Sequence, residues 1–181
     1  DSIWVLHDDV EVRRDSLTCM LREASRKPHP DVLYPTLLKP ARHNYPEFID
    51  EQGQSVSTGG ARVLPVVDRG DIDQKQADPG PILGGSTAGM FVRVDVWRRL
   101  GGFDPALPLF RDGVDFGWRA NEAGMVVRTA PSCTIHHRQA GRGWQRESHL
   151  APRPDVTDRL AGMRMVAART GHPTRTSLAL S

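Results

Sequence analysis

The first nine residues restrict this chain most. Ile3, Trp4, Val5 and Leu6 form a continuous apolar run, the pattern of a strand buried on both faces. The run ends directly in His7, Asp8 and Asp9. Polar groups just past the carboxyl end of such a strand stand where an open α/β sheet binds its ligands. From Asp15, which predicts an N-cap, Leu17, Met20, Leu21 and Ala24 recur at helical spacing until Lys27-Pro28 ends the run. Residues 31–38 then read as a second strand. This strand–helix–strand order predicts an α/β fold with a largely parallel central sheet, helices on both sides and a smaller antiparallel element. A hydrophobic strand this close to residue 1, with no methionine or polar leader, predicts a piece of a longer protein.

Between residues 40 and 81 the pattern weakens. Residues 48–55 read as a hairpin around Gly53. Residues 69–81 are polar, rich in Gly and Pro, and read as a long loop. Gly84, Gly85, Ser86, Thr87, Ala88 and Gly89 follow, small residues that permit close approach of either another backbone or a ligand. No Walker-type lysine follows them, which weighs against a phosphate cradle. Residues 90–92 read as a strand, Asp95 as the cap of a short helix over 96–100, and Gly101-Gly102 as its stop. Asp112 and Asp115 then stand where a loop becomes a helix, with Phe116, Ala120 and Ala123 along one side. Acids at a helix start are ordinary capping groups or acids presented to a substrate. Beyond Gly124, residues 125–129 read as a strand. Pro131 turns the chain into a second short strand that delivers His136 and His137. A basic stretch follows, then a helix capped by Asp155 and Asp158 and running through Arg169. The end from residue 170 reads as disordered.

A chain of 181 residues is long enough for one domain with a real core. The net charge of +2 is too small to imply a nucleic-acid partner, and no aromatics interleave with basic clusters. Two cysteines, Cys19 and Cys133, make a disulfide framework unexpected and fit a reducing compartment. No apolar run approaches the roughly 20 residues that cross a bilayer.

Three chain positions therefore carry polar clusters, His7-Asp8-Asp9, Asp112 with Asp115, and His136-His137, with the small-residue loop between them. Carboxylates with an imidazole suit a divalent cation such as Mn²⁺ or Mg²⁺ that leaves positions for phosphate oxygens. A further carboxylate suits a proton acceptor.

The blocks WVLHDDVEVRRDSL, GGSTAGMFVRVDVWRRLGGFDPALPLFRDGVDFGWRANEAG and APSCTIHH resemble the family-2 glycosyltransferases of GT-A fold. DIDQKQ and LHDD are most similar to the large membrane-associated actinobacterial members. The resemblance runs from about Ile3 to His137 and implies a partial three-layer α/β/α sandwich. Residues 1–137 would be the C-terminal part of the transferase domain, residues 138–181 a basic tail with one helix, and the nucleobase-binding half would lie before Asp1. It implies inverting transfer of a sugar from a nucleotide-sugar donor to a glycan or lipid-linked glycan acceptor, at the cytoplasmic face of the cell membrane. In the family's metal motif His7 replaces the first acid, leaving Asp9 as metal ligand with His7 beside it and Asp8 supporting the ribose or the metal. Counting from Pro131 selects His137 as the late metal ligand. Gly85, Ser86, Thr87, Ala88 and Gly89 would line donor and acceptor, while Trp118 and Arg119 would be structural. The family carries two adjacent acids where this chain reads Asp112-Gly113, and the second is the general base. Asp112 or Asp115 must then act as base, or the chain is a GT-A-like binding or scaffold module without catalysis. A metal-dependent phosphohydrolase is a weaker third reading. The exposed strand edge at Ile3 to Leu6 predicts self-association.

Overall fold

The computed structural model describes residues 1–40, 43–107, 110–140 and 154–171. Its six-stranded sheet runs β1 (Ser2–Trp4), β7 (Phe91–Arg93), β3 (Val32–Leu38), β8 (Val127–His137), β2 (Val10–Val12), with β4 (Ile49–Glu51) pairing alongside β3. A separate ribbon joins β5 (Ser55–Val56) to β6 (Arg62–Val63). The helices are α1 (Ser16–Ala24), α2 (Val94–Leu100), α3 (Asp112–Glu122) and α4 (Pro154–Thr170). The fold is α/β, as the sequence predicts, but the sheet is not largely parallel. Only β3 and β8 run parallel; the other pairs are antiparallel.

Burial of β3 decides the layering, because all seven of its residues are buried. Leu33 packs on one face with Cys19, Met20, Phe91, Ala130 and Cys133, and so holds α1 there. Val32 and Tyr34 point to the other face, into a cluster with Met90, Val92, Val96, Phe116 and Ala120 that seats α2 and α3. Trp97, Phe103 and Phe116 close that cluster, with ring centroids 4.9 to 6.0 Å apart. Helices thus cover both faces of the sheet. Pro35 has no N–H to give; it lies past the last pair with β7 and at a register shift against β8.

Several elements differ from their sequence reading. Of the run Ile3 to Leu6, only Ile3 and Trp4 lie in β1, an edge strand paired with β7; Ile3, Trp4 and Val5 are half-buried and Leu6 is exposed, so the run is not sandwiched. Residues 48–55 form no hairpin: Ile49–Glu51 pairs with β3 while Ser55–Val56 pairs with β6. Residues 127–129 and 133–135 are not separated by a turn but belong to one strand, β8, which starts after Met125 and Val126 and accommodates Pro131 at its register shift. Asp95 lies in the first turn of α2 rather than at its cap, which is Arg93, and Ala123 is the exposed C-cap position of α3. Gly101 does stop α2, with φ 74°. Residues 69–81 contain no named strand or helix. The basic stretch from 141 to 153 and the end from 172 lie outside the described residues. No helix among the described residues is long and apolar enough to cross a membrane.

Two long-range links hold peripheral elements to this body. Cys19 and Cys133 are bonded, with Cα atoms 5.5 Å apart, tying α1 to β8 across 114 residues. The two cysteines do pair, because α1 and β8 pack face to face and that contact brings together residues far apart in sequence. It also removes the ground for inferring a reducing compartment. Helix α4 docks through glycine. A Cβ on Gly162 would lie 2.1 Å from the Gly60 carbonyl oxygen, so the two backbones touch. Asp158 of α4 then meets Arg62 at 2.9 Å and Arg111 at 2.9 and 3.1 Å.

Reducing the disulfide frees a long loop in the unfolded chain. This should lower stability by about 3 kcal/mol and the thermal midpoint by roughly 6–12 °C. Circular dichroism melts with and without reductant measure it, and an unchanged midpoint with both thiols alkylated would refute the link. Burial disfavours ionised Asp158, but Arg62 and Arg111 outweigh it and hold its carboxyl below the ordinary 3.8. A depressed folded-state value contributes stability above the unfolded value and loses it as pH falls through the folded one. The stability advantage of the wild type over Asp158→Asn should therefore be full at neutral pH and shrink below about pH 3.8, as urea titrations at several pH values would show.

Candidate functional site

Residues 5–9 leave β1 at one side of the sheet path and enter β2 at the other. That crossing carries His7 and Asp9 to the end of β8, where His137 emerges. Ligand atoms of His7, Asp9 and His137 all lie within 4.8 Å of one another. His137 Nε2 is 3.4 Å from Asp9 Oδ1, and His7 Nδ1 is 3.9 Å from the same oxygen. The outer atoms of the trio are held in turn. His137 Nδ1 lies 3.2 Å from Asp50 Oδ2, His7 Nε2 lies 2.8 Å from Thr87 Oγ1, and the Ala140 amide donates to Asp9 Oδ2 at 2.8 Å. Asp50 also accepts from Gln139 and pairs with Arg69 at 3.2 Å. Burial alone would raise the Asp50 carboxyl; the His137, Arg69 and Gln139 contacts outweigh it and lower it. Burial, with His137 adding to it, lowers the His7 imidazole from its ordinary value and favours its neutral, ligand-competent form. Asp8 is exposed and stands outside the trio.

Beside the trio lies a cleft of about 70 Å³ lined by His7, Gln54, Arg62, Gly85, Ser86, Thr87, Phe110, Arg111, Asp112, Gly113 and Val114. The small-residue loop is held over it by buried Glu51, which accepts from the Ser86 amide at 2.7 Å and from Gln54 at 2.6 Å. Burial raises the Asp112 carboxyl, making it a stronger proton acceptor than an exposed aspartate.

Three comparisons bear on this arrangement. Two relatives, from Mycobacterium tuberculosis strains CDC 1551 / Oshkosh and ATCC 25618 / H37Rv, are both named N-acetylglucosaminyl-diphospho-decaprenol L-rhamnosyltransferase. Each is 29% identical over 160 residues, covering 83% of this chain and 52% of the relative. The chain spans about half the length of the curated relatives it matches. The crystal structure of GalNAc-T7 with UDP, GalNAc and Mn²⁺ aligns at TM-score 0.56 and 12% identity, over 81% of this chain and 29% of that one. The chain has a partial GT-A-like fold. No family model matches it.

Within this GT-A-like fold, the residues singled out from sequence divide. His7, Asp9 and His137 come together, and Asp112, Gly85, Ser86 and Thr87 line the adjoining cleft. Asp115 does not join them. It is fully buried, with Oδ2 bound by Arg119 Nε at 2.8 Å and Oδ1 by Arg169 Nε at 2.6 Å. Asp112 opens α3 at the cleft, whereas Asp115 is enclosed between Arg119 and Arg169. Ala88 and Gly89 are not lining residues either. Ala88 packs with Leu37 and Ile135, and a Cβ on Gly89 would meet Pro35 and Ile135 at 2.7 and 2.8 Å. Arg119 is structural, bonding the carbonyls of Leu100 and Gly102.

Gly113 has a physical reason. A Cβ there would lie 2.3 Å from the Gly85 carbonyl oxygen and 3.0 Å from the Thr87 amide. The position where a second acid is expected is filled by the loop backbone. Sequence reasoning missed Asp50, Glu51, Arg62 and Arg111. A polar run at residues 50–52 reads as exposed, and nothing local shows that these residues are buried against β3.

Gly113→Asp should therefore not restore a base. It should cost about 1–3 kcal/mol from overpacking and leave any turnover no higher than wild type. Chemical denaturation alongside an activity assay measures both, and a stable, faster variant would show room for a second acid.

Proposed function

We propose that this chain is the catalytic-side part of an inverting, metal-dependent glycosyltransferase, moving a sugar from a nucleotide-sugar donor to a hydroxyl of a lipid-linked glycan. The observation that carries this reading is the placement of Asp112 in the same cleft as His7, the near edge of the His7–Asp9–His137 trio. The fold likeness and the names of the curated relatives support it. The diphosphate-linked acceptor in those names suggests the acceptor class.

The trio suits a divalent cation chemically. In the tautomers where His137 Nδ1 donates to Asp50 and His7 Nε2 donates to Thr87, each ring keeps a lone pair facing Asp9. Two imidazoles and a carboxylate favour a first-row ion such as Mn²⁺ over Mg²⁺, which prefers an all-oxygen shell. When bound, such an ion supplies Lewis-acid neutralisation of the donor's diphosphate. The rest falls to side chains. Asp112 takes the acceptor hydroxyl's proton as the oxygen forms its bond to the anomeric carbon, and the carbon–oxygen bond to the diphosphate breaks with its electron pair on the departing nucleotide. Approach from the Asp112 side, opposite the diphosphate, gives inversion. Asp8 supports the ribose or the metal. The catalysis-free scaffold reading loses part of its motive, because Gly113 marks a packed contact rather than an empty place beside Asp112.

The test is transfer of labelled sugar by the protein, with Mn²⁺ and a polyprenyl-diphosphate glycan. Asp112→Asn should lower kcat by about 10²–10⁴-fold, and Asp9→Ala and His137→Ala should abolish metal-dependent turnover. Unchanged rates in Asp112→Asn would remove the base assignment, and unchanged rates in the other two would remove the metal site.

A further inference from the structure

Two consecutive residues before α3 have left-handed backbone, Phe110 at φ 74° and Arg111 at φ 69°. Side chains other than glycine rarely take up this conformation, so something outside the turn must hold it. Arg111 is the N-cap position of α3 and makes no side-chain cap bond there. Its guanidinium turns away instead, with 1% side-chain exposure, into a two-bond contact with Asp158 at 2.9 and 3.1 Å. The same Asp158 oxygen accepts from Arg62 at 2.9 Å. One carboxylate on α4 therefore joins two cleft-lining arginines from separate parts of the chain. The residue after Arg111 is Asp112.

We infer that Asp158 is a positioning residue: by clamping Arg111 it holds the left-handed turn that aims Asp112 into the cleft. This rests on the transferase reading for its consequence, but the clamp itself is a property of the fold. An unpaired buried guanidinium is strongly unfavourable, so without Asp158 the Arg111 side chain must seek water. It then draws the turn with it. The α3 N-terminus, where the Asp115 amide bonds the Arg111 carbonyl at 2.8 Å, is the next element to loosen. Asp112 shifts while the trio at His7, Asp9 and His137, built on β8 and residues 7–9, stays in place.

That separation gives the test, made in the intact protein. Asp158→Asn should speed amide exchange over residues 112–115 by tenfold or more, with the middle of α4 still protected. It should lower kcat by tenfold or more with donor KM within twofold. Asp158→Glu, which keeps the charge, should recover much of the rate. Asp158→Asn combined with Arg111→Lys should be no slower than the slower single variant. Asp104→Asn, which loosens the other α4 clamp at Arg169, should leave kcat within twofold. Wild-type exchange at 112–115 in Asp158→Asn would overturn the inference, as would an equal kcat loss in Asp104→Asn, since that assigns the effect to helix docking in general. If the wild type transfers no sugar, the transferase reading falls alone and the exchange measurement still decides the clamp.

Discussion

The backbone of α3 lies against the backbone of the 84–89 loop, and most of the cleft depends on that contact. A Cβ on Gly84 would meet the Val114 Cα at 2.7 Å, one on Gly117 the Leu83 carbonyl oxygen at 2.4 Å, and one on Gly113 the Gly85 oxygen at 2.3 Å. Tyr34 locks the contact from below, its buried hydroxyl donating to the Gly113 carbonyl at 2.7 Å. A buried hydroxyl left without a partner is costly, so Tyr34 and α3 hold one arrangement. With α3 set in this way, Asp112 faces Thr87 and His7 across a narrow cleft.

Around that contact the charged groups sort by surroundings rather than by type. At the cleft wall, burial outweighs the nearby backbone amides and the His7 ring and lifts the Asp112 carboxyl. Asp115, three residues on, is consumed by two arginines. Asp50 and Glu51 are neighbours in one strand with opposite shifts. Asp50 is lowered because three polar partners outweigh its burial, whereas complete burial raises Glu51 despite Arg62. A single stretch of chain thus supplies an orienting anion behind His137 and a loop anchor beneath Ser86.

What was legible in the sequence followed from local chemistry. The α/β class, helices α1 and α4, the glycine stop at Gly101 and the stretches presenting His7-Asp9, Asp112 and His137 all leave periodic or punctuating marks. The antiparallel character of the sheet left none, because strand direction depends on which partner a strand finds. The same holds for β4: its residues Ile49–Glu51 are all buried although two of the three are acids.

By itself, the sequence determined which residues could do chemistry and where the chain would turn, since side-chain type and glycine or proline placement act within a few residues. Only the tertiary structure decided which of them meet. Asp112 and Asp115 are equivalent in sequence terms, yet the 84–89 loop leaves Asp112 at the cleft while Arg119 and Arg169 enclose Asp115. Cys19 and Cys133, like Asp158 and Arg111, are distant in sequence and joined by packing. Gly113 stands where an acid is expected, and the loop backbone at Gly85 fills the space a side chain would take. Contacts of this kind depend on where two backbones pass in space, and no window of the sequence contains both.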